Sequence, residues 1–189
     1  MGSIELLEQA DRRLVTLVSG LSPADWDGPS PCAEWNVRSL VSHTVASIDA
    51  FSAAVDGQGG PTEEELFSGI DILGPDPLDV VERAVERSHL AWASIVDWEQ
   101  PVGTVLGSMA AEQAIGIITY STLIHSWDLA GAVGATVEFT APEATLAEAV
   151  GSQLVPALRP NGLFGAEVEV GASATPTERL VALAGRNPL

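Results

Sequence analysis

The stretch from Ala111 to Gly134, AEQAIGIITYSTLIHSWDLAGAVG, decides the fold. It is long enough for a helix of several turns. Its apolar residues (Ala114, Ile115, Ile117, Ile118, Leu123, Ile124, Trp127, Leu129 and Ala130) point all the way round, so the helix is expected to be buried rather than amphipathic. Within it Ser121, Thr122, His125 and Asp128 stand at spacings of three and four, which places them on one stripe. A polar stripe on a buried helix must find partners, because an unpaired buried polar group costs about 1–3 kcal/mol. It is either a satisfied structural network or a site.

Outward from this stretch the other elements follow from periodicity and caps. Ile4 to Val18 carries a helical apolar stripe, with Gly20 just past its end. A short turn at Ser22 to Asp25 leads into an ordered loop from Pro29 to Trp35, with Cys32 and Trp35 as packing anchors. Asn36 caps a second long helix to about Val55, whose core face is Val37, Leu40, Val41, Thr44, Val45 and Ile48. His43 lies off that face, in a row with Ser39 and Ser47. The segment 56–65, DGQGGPTEEE, reads as a mobile loop ending in a solvated helix start. Asp76 and Pro77 open a third long helix to about Val96, and Val102 to Leu106 is the best strand. Thr140 to Glu143 is a capping box for a helix to about Val155, ended by Pro156 and Pro160, and Thr175 to Glu178 caps a last short one that stops at Gly185. The expected architecture is one all-α domain over 1–189, an up-and-down four-helix bundle with short C-terminal additions.

Composition narrows the function. The chain has 189 residues, 46% of them hydrophobic, and a net charge of −18 from 26 acidic and 8 basic residues. So acidic a surface repels phosphate backbones and anionic lipid, which argues against nucleic acid and membrane as partners. All eight basic residues are arginine, which excludes a pyridoxal Schiff base, a lysine nucleophile and a GxxxxGK[ST] loop. The single cysteine, Cys32, cannot form an internal disulfide, and the amino terminus is unlike a signal peptide, so a cytoplasmic location is expected.

Three histidines are available: His43, His89 and His125. Bundle cores build metal sites from side chains on facing helices, and His43 and His125 fall on two different long helices. With Asp128 one turn after His125 they form a candidate set of ligands for a divalent metal such as Zn²⁺, Ni²⁺ or Fe²⁺. The plainer alternative is that both histidines are hydrogen-bonded within the core. His89, among charged neighbours, is expected at the surface. Cys32 has no adjacent cation to lower its pKa, so a packing role is expected. A Ser–His–Asp triad from Ser121, His125 and Asp128 is disfavoured, because one helix stripe seldom gives that line and no GxSxG elbow is present. Trp35 and Trp127 are candidates for lining a pocket or for filling the core.

Two segments carry a resemblance: PCAEWNVRSLVSHTVASIDAF from Pro31 to Phe51, and MAAEQAIGIITYSTLIHSWDLAGAVG from Met109 to Gly134. Their P-C-x-x-W loop, V-R-x-L-V-x-H helix and H-x-W-D-L-A ending resemble the actinobacterial DinB-like family, which includes the amino-terminal domain of mycothiol-dependent maleylpyruvate isomerase. The C-terminal ATPTERLVALAGRNP resembles the close of that family's short members, so the likeness spans most of the chain. The resemblance implies a bundle holding a divalent metal by three ligands. One is a histidine on the second helix, which falls on His43. The others are an acid or histidine and, four residues later, a histidine, which fall on Ser121 and His125. The chain departs at Ser121, since a neutral hydroxyl is a poor ligand beside carboxylate. Asp128 is expected more often to orient a histidine than to bind metal. The implied function is a metal-dependent isomerase or transferase using a small thiol such as mycothiol as cofactor, acting on a small-molecule or thiol substrate. The alternative is a non-catalytic helical binding or dimerisation module that has lost its metal, for which Ala- and Gly-rich helices allow a homodimer.

Overall fold

The computed structural model describes residues 2–32 and 35–188. They form two compact units, 1–136 and 137–189. The first contains α1 (Ser3–Ser19), α2 (Val37–Asp56), α3 (Glu63–Phe67), α4 (Pro77–Ala93), the strands β1 (Pro101–Thr104) and β2 (Gly107–Ala110), and α5 (Ala111–Ala132). The second contains α6 (Ala141–Leu158), a 3₁₀ turn at Arg159–Asn161, and α7 (Pro176–Leu183). The fold is all-α apart from one small hairpin, as the sequence leads one to expect.

The four long helices of the first unit close a ring. α1 packs against α4 and α5, and α2 packs against the same two. The long connections 20–36 and 94–110 carry the chain across the bundle. Leu7, Leu14 and Val18 of α1, Leu40, Val45 and Ile48 of α2, Val81 and Trp92 of α4, and Ile115 and Ile118 of α5 share one core. Burying a side chain of this size contributes about 1.5–3 kcal/mol, so this layer dominates the stability of the bundle. As its all-round apolar pattern requires, α5 buries residues on every face, including Ile115, Ile118, Leu123, Ile124 and Leu129.

No side chain caps the start of α5, where Ala110 stands at the N-cap. The turn that precedes β1 supplies the missing acceptors. Ala111 N–H donates to Gln100 O at 3.0 Å and Glu112 N–H to Trp98 O at 3.0 Å, which satisfies two of the first-turn donors a helix leaves open. The sequence predicts one strand at this place; the structure pairs two, with Pro101 opposite Ala110 and Thr104 opposite Gly107. Gly107 closes the turn at φ 105°, a backbone region that other residues avoid. At the end of α2, Gly57 takes φ 70° and ends the helix in the left-handed cap.

The helix start expected at the end of the 56–65 segment opens α3, which runs on to Phe67. The Thr62 side chain accepts from Glu65 N–H while Glu65 reaches back to Thr62 N–H, a reciprocal cap that makes one turn persist. In the second unit α6 runs past Pro156 to Leu158 instead of stopping there. Pro156 falls in the last turn of the helix, where the residue whose carbonyl loses its donor and meets the ring, Ser152, is exposed. Phe139 N–H donates to Thr177 Oγ1 at 2.8 Å and Arg159 Nη2 to Leu183 O at 2.5 Å, tying both ends of α6 to α7.

Candidate metal centre

The two histidines that the sequence places on separate helices meet. The His43 and His125 ring centroids lie 4.9 Å apart, edge to face at 89°. Each ring is held by its own partner. His43 Nδ1 donates to the Leu66 carbonyl of α3 at 2.5 Å, and its ring lies 4.6 Å from that of Trp35. A carbonyl oxygen can only accept, so Nδ1 carries the proton and the lone pair resides on Nε2. His125, 9% exposed, turns Nδ1 toward Asp128 Oδ2 at 3.2 Å. That carboxylate is likewise an acceptor and fixes the same tautomer.

Asp128 has no exposed surface, and a buried carboxylate is tolerated only when donors compensate it. Its Oδ2 accepts from two sides: His125, and the Cys32 thiol at 3.3 Å. Cys32 comes from the 28–37 loop, where the Ser30 hydroxyl accepts from Cys32 N–H at 3.1 Å and donates to Trp35 O at 2.7 Å. Trp35 N–H donates to Cys32 O at 2.8 Å, which closes the same knot. The loop is seated on α5: a Cβ on Gly131 would meet Pro31 Cγ at 3.5 Å. Cys32 Sγ, a ring nitrogen of His125 and a carboxylate oxygen of Asp128 all lie within 4.8 Å of one another.

Of the residues singled out in the sequence, His43, His125 and Asp128 are thus brought together, and Trp35 packs tilted against the His43 ring. Ser121 stands one turn before His125 on α5, half-buried. Cys32 is more than a packing anchor, because its thiol bonds across 96 positions to Asp128. The P-C-x-x-W motif beside the histidine helix was the signal for it; the expectation weighed only the neighbours in sequence. The Leu66 carbonyl was invisible to sequence because a backbone atom carries no side-chain signature.

His89, expected at the surface, is partly exposed and also pairs inward. Its Nε2 lies 2.9 Å from Oδ2 of Asp11, a fully buried carboxylate of α1. Burial pushes the Asp11 carboxyl above its ordinary pKa, and the hydrogen bond to Asp11 raises that of His89. This pair joins α1 to α4, outside the candidate centre.

A thiol, an imidazole and a carboxylate of metal-ligand type, with the His43 ring edge-on against His125, lie in a four-helix-bundle protein. The chain belongs to the family of the mycothiol maleylpyruvate isomerase N-terminal domain, whose model matches residues 7–130. An uncharacterised protein found in two strains of Mycobacterium tuberculosis is 25% identical over 185 residues, covering 95% of this chain and 94% of that protein. The crystal structure of the mycothiol-dependent maleylpyruvate isomerase superposes with a TM-score of 0.60 at 22% identity, over 82% of this chain and 68% of that one. A histidine-to-alanine variant of that enzyme gives 0.61 at 19% identity over the same shares. At these identities the superpositions establish the shared fold. No helix among the described residues is long and apolar enough to cross a membrane.

Proposed function

We propose that this chain is a divalent-metal, thiol-dependent isomerase or transferase whose metal is held by His43 and His125, with Asp128 orienting His125. The observation that supports this reading is the shared tautomer of two converging rings. Each spends Nδ1 on a protein acceptor, Leu66 O or Asp128 Oδ2, and keeps its lone pair on Nε2. Metal-binding histidines in general have this arrangement, with the second nitrogen donating to a carboxylate or backbone carbonyl. The donors present therefore suit Zn²⁺, Ni²⁺ or Fe²⁺. A dication held by His43 and His125 would lower the pKa of the thiol of a small cofactor such as mycothiol, so that its proton would pass to solvent and a thiolate nucleophile would be available at neutral pH.

The chain's own residues do the rest. Trp35 and the Leu66 carbonyl fix the plane of His43. Asp128 Oδ2 holds His125 through Nδ1 and accepts from the Cys32 thiol as well. Ser121 favours a second reading, in which the chain is a helical binding or dimerisation module that has lost its metal. Metal analysis decides between them. Protein purified without chelator, or titrated with Zn²⁺ or Ni²⁺, should bind one ion per chain, and His125→Ala should abolish that binding. The loaded protein is then assayed for isomerisation of maleylpyruvate with and without mycothiol. A protein that binds neither ion overturns the proposal and leaves the module.

A further inference from the structure

We propose that Cys32 is the third protein donor to this metal, a thiolate from the 28–37 loop standing in for the acid that Ser121 does not provide. The inference rests on the metal-centre reading above. It begins with place: Sγ, a His125 nitrogen and an Asp128 oxygen lie within 4.8 Å of one another. Donors around one tetrahedral zinc, with bonds of about 2.3 Å to sulfur and about 2.0 Å to nitrogen, sit about 3.5 Å apart. In the structure Asp128 Oδ2 stands between Sγ and the His125 ring, 3.2 Å from His125 Nδ1 and 3.3 Å from Sγ, so joining Sγ and His125 Nε2 on one ion requires the thiol to turn from Asp128 toward the ring.

The loop is built to present the thiol. Ser30 bonds to both Cys32 N and Trp35 O, and Pro31 rests on Gly131 of α5, three residues beyond Asp128. The same loop therefore positions the thiol and the Trp35 ring that packs tilted against His43. Chemistry points the same way. With Ser121 neutral, two imidazoles alone make a weak site, whereas one thiolate and two imidazoles give three protein donors with an open fourth position for an incoming thiol. Thiolate is a soft ligand, so the set favours Zn²⁺ over harder ions. On coordination the S–H proton is lost to buffer and the sulfur lone pair forms the metal bond; no electron is transferred.

Cys32 is the only cysteine, so the thiol can be read directly. The full reduced chain is titrated with Co²⁺ and, separately, alkylated with iodoacetamide in the presence and absence of Zn²⁺. Cys32 ligation gives a thiolate-to-cobalt charge-transfer absorption in the near ultraviolet and slows alkylation at least about tenfold. Cys32→Ser, with its helical circular dichroism intact, should lose the charge-transfer absorption and bind Zn²⁺ more weakly by upwards of about 100-fold, more than an outer-sphere group costs. A wild-type chain that binds Co²⁺ without that absorption, its thiol equally reactive with and without Zn²⁺, overturns this inference and leaves the metal-centre reading standing. A chain that binds neither ion overturns both. The wild-type readouts suffice if the variant does not fold.

Discussion

At His43 and His125 the same ring nitrogen is committed to the protein, but the two partners are not equivalent. Leu66 offers a neutral carbonyl that mutation cannot remove, whereas Asp128 offers a charge that it can. Asp128→Asn keeps the shape and removes the negative acceptor. We expect about 10–100-fold weaker Zn²⁺ binding, the usual effect of losing such a partner, with the helical signal retained. Competition with a coloured chelator measures this, and unchanged affinity would place Asp128 outside the centre. The Asp11–His89 pair makes a different residue-scale prediction. Both groups have raised pKa values in the folded chain, Asp11 chiefly through burial and His89 chiefly through its bond to Asp11, with Glu8 and Arg12 nearby pulling in opposite senses. The folded state therefore holds protons more firmly than the unfolded one, and stability must fall as pH rises. The contribution of His89 is complete below the ordinary histidine pKa of about 6.5 and is lost as pH climbs through its raised folded value. Urea unfolding between about pH 6 and about pH 9 should show a loss in the wild type that His89→Gln lacks; parallel slopes would refute the assignment.

At the scale of the element, α5 carries more polar groups than its neighbours satisfy. His125 and Asp128 are paired, but the hydroxyl oxygens of Thr122 and Ser126 are buried with no hydrogen-bond partner. Since an orphaned buried polar atom costs about 1–3 kcal/mol, removing it returns part of that cost. Thr122→Val and Ser126→Ala are therefore expected to be neutral or stabilising by up to about 1 kcal/mol in thermal unfolding. A loss of more than about 1 kcal/mol in either would mean that the hydroxyl is bonded in solution. The long helices were legible because periodicity and caps agree in them, as at Asn36, whose side chain accepts from Ser39 N–H at 2.9 Å. The hairpin was half legible: its strands are four residues long, too short for alternation to register, and the turn before it caps α5 through carbonyls. α3 was written in the sequence as Thr62 and Glu65, yet the glycine run before it reads as a loop. At the candidate centre the imidazoles were legible from motif and helix placement. Cys32 was not, because what it bonds to is distant in sequence and near only after folding.

The whole molecule folds against its own charge. Among the described residues Arg12 pairs with Glu8 and Arg83 with Asp79 one turn apart, Arg38 reaches Asp71, and Arg87 clamps Asp49 and Asp56 of α2 onto α4. The Arg12 and Arg83 pairs are exposed and worth at most about 1 kcal/mol each. Eight arginines cannot neutralise 26 carboxylates, so the net charge of −18 acts over distances longer than any one pair. Screening weakens both terms but not equally: the pairs lose little because they were worth little, while the summed repulsion is long-range. Raising sodium chloride from about 0.02 M to about 0.3 M shortens the screening length from roughly 20 Å to roughly 6 Å and should raise Tm by several degrees. Ionic strength alone should govern the gain at the low end, so sulfate and chloride should agree there when matched for it and diverge only at higher salt, where exclusion from the surface takes over. A Tm that falls on adding chloride would mean that the arginine pairs outweigh the repulsion, and Arg87, bonded to two carboxylates of α2, would then be the first place to look.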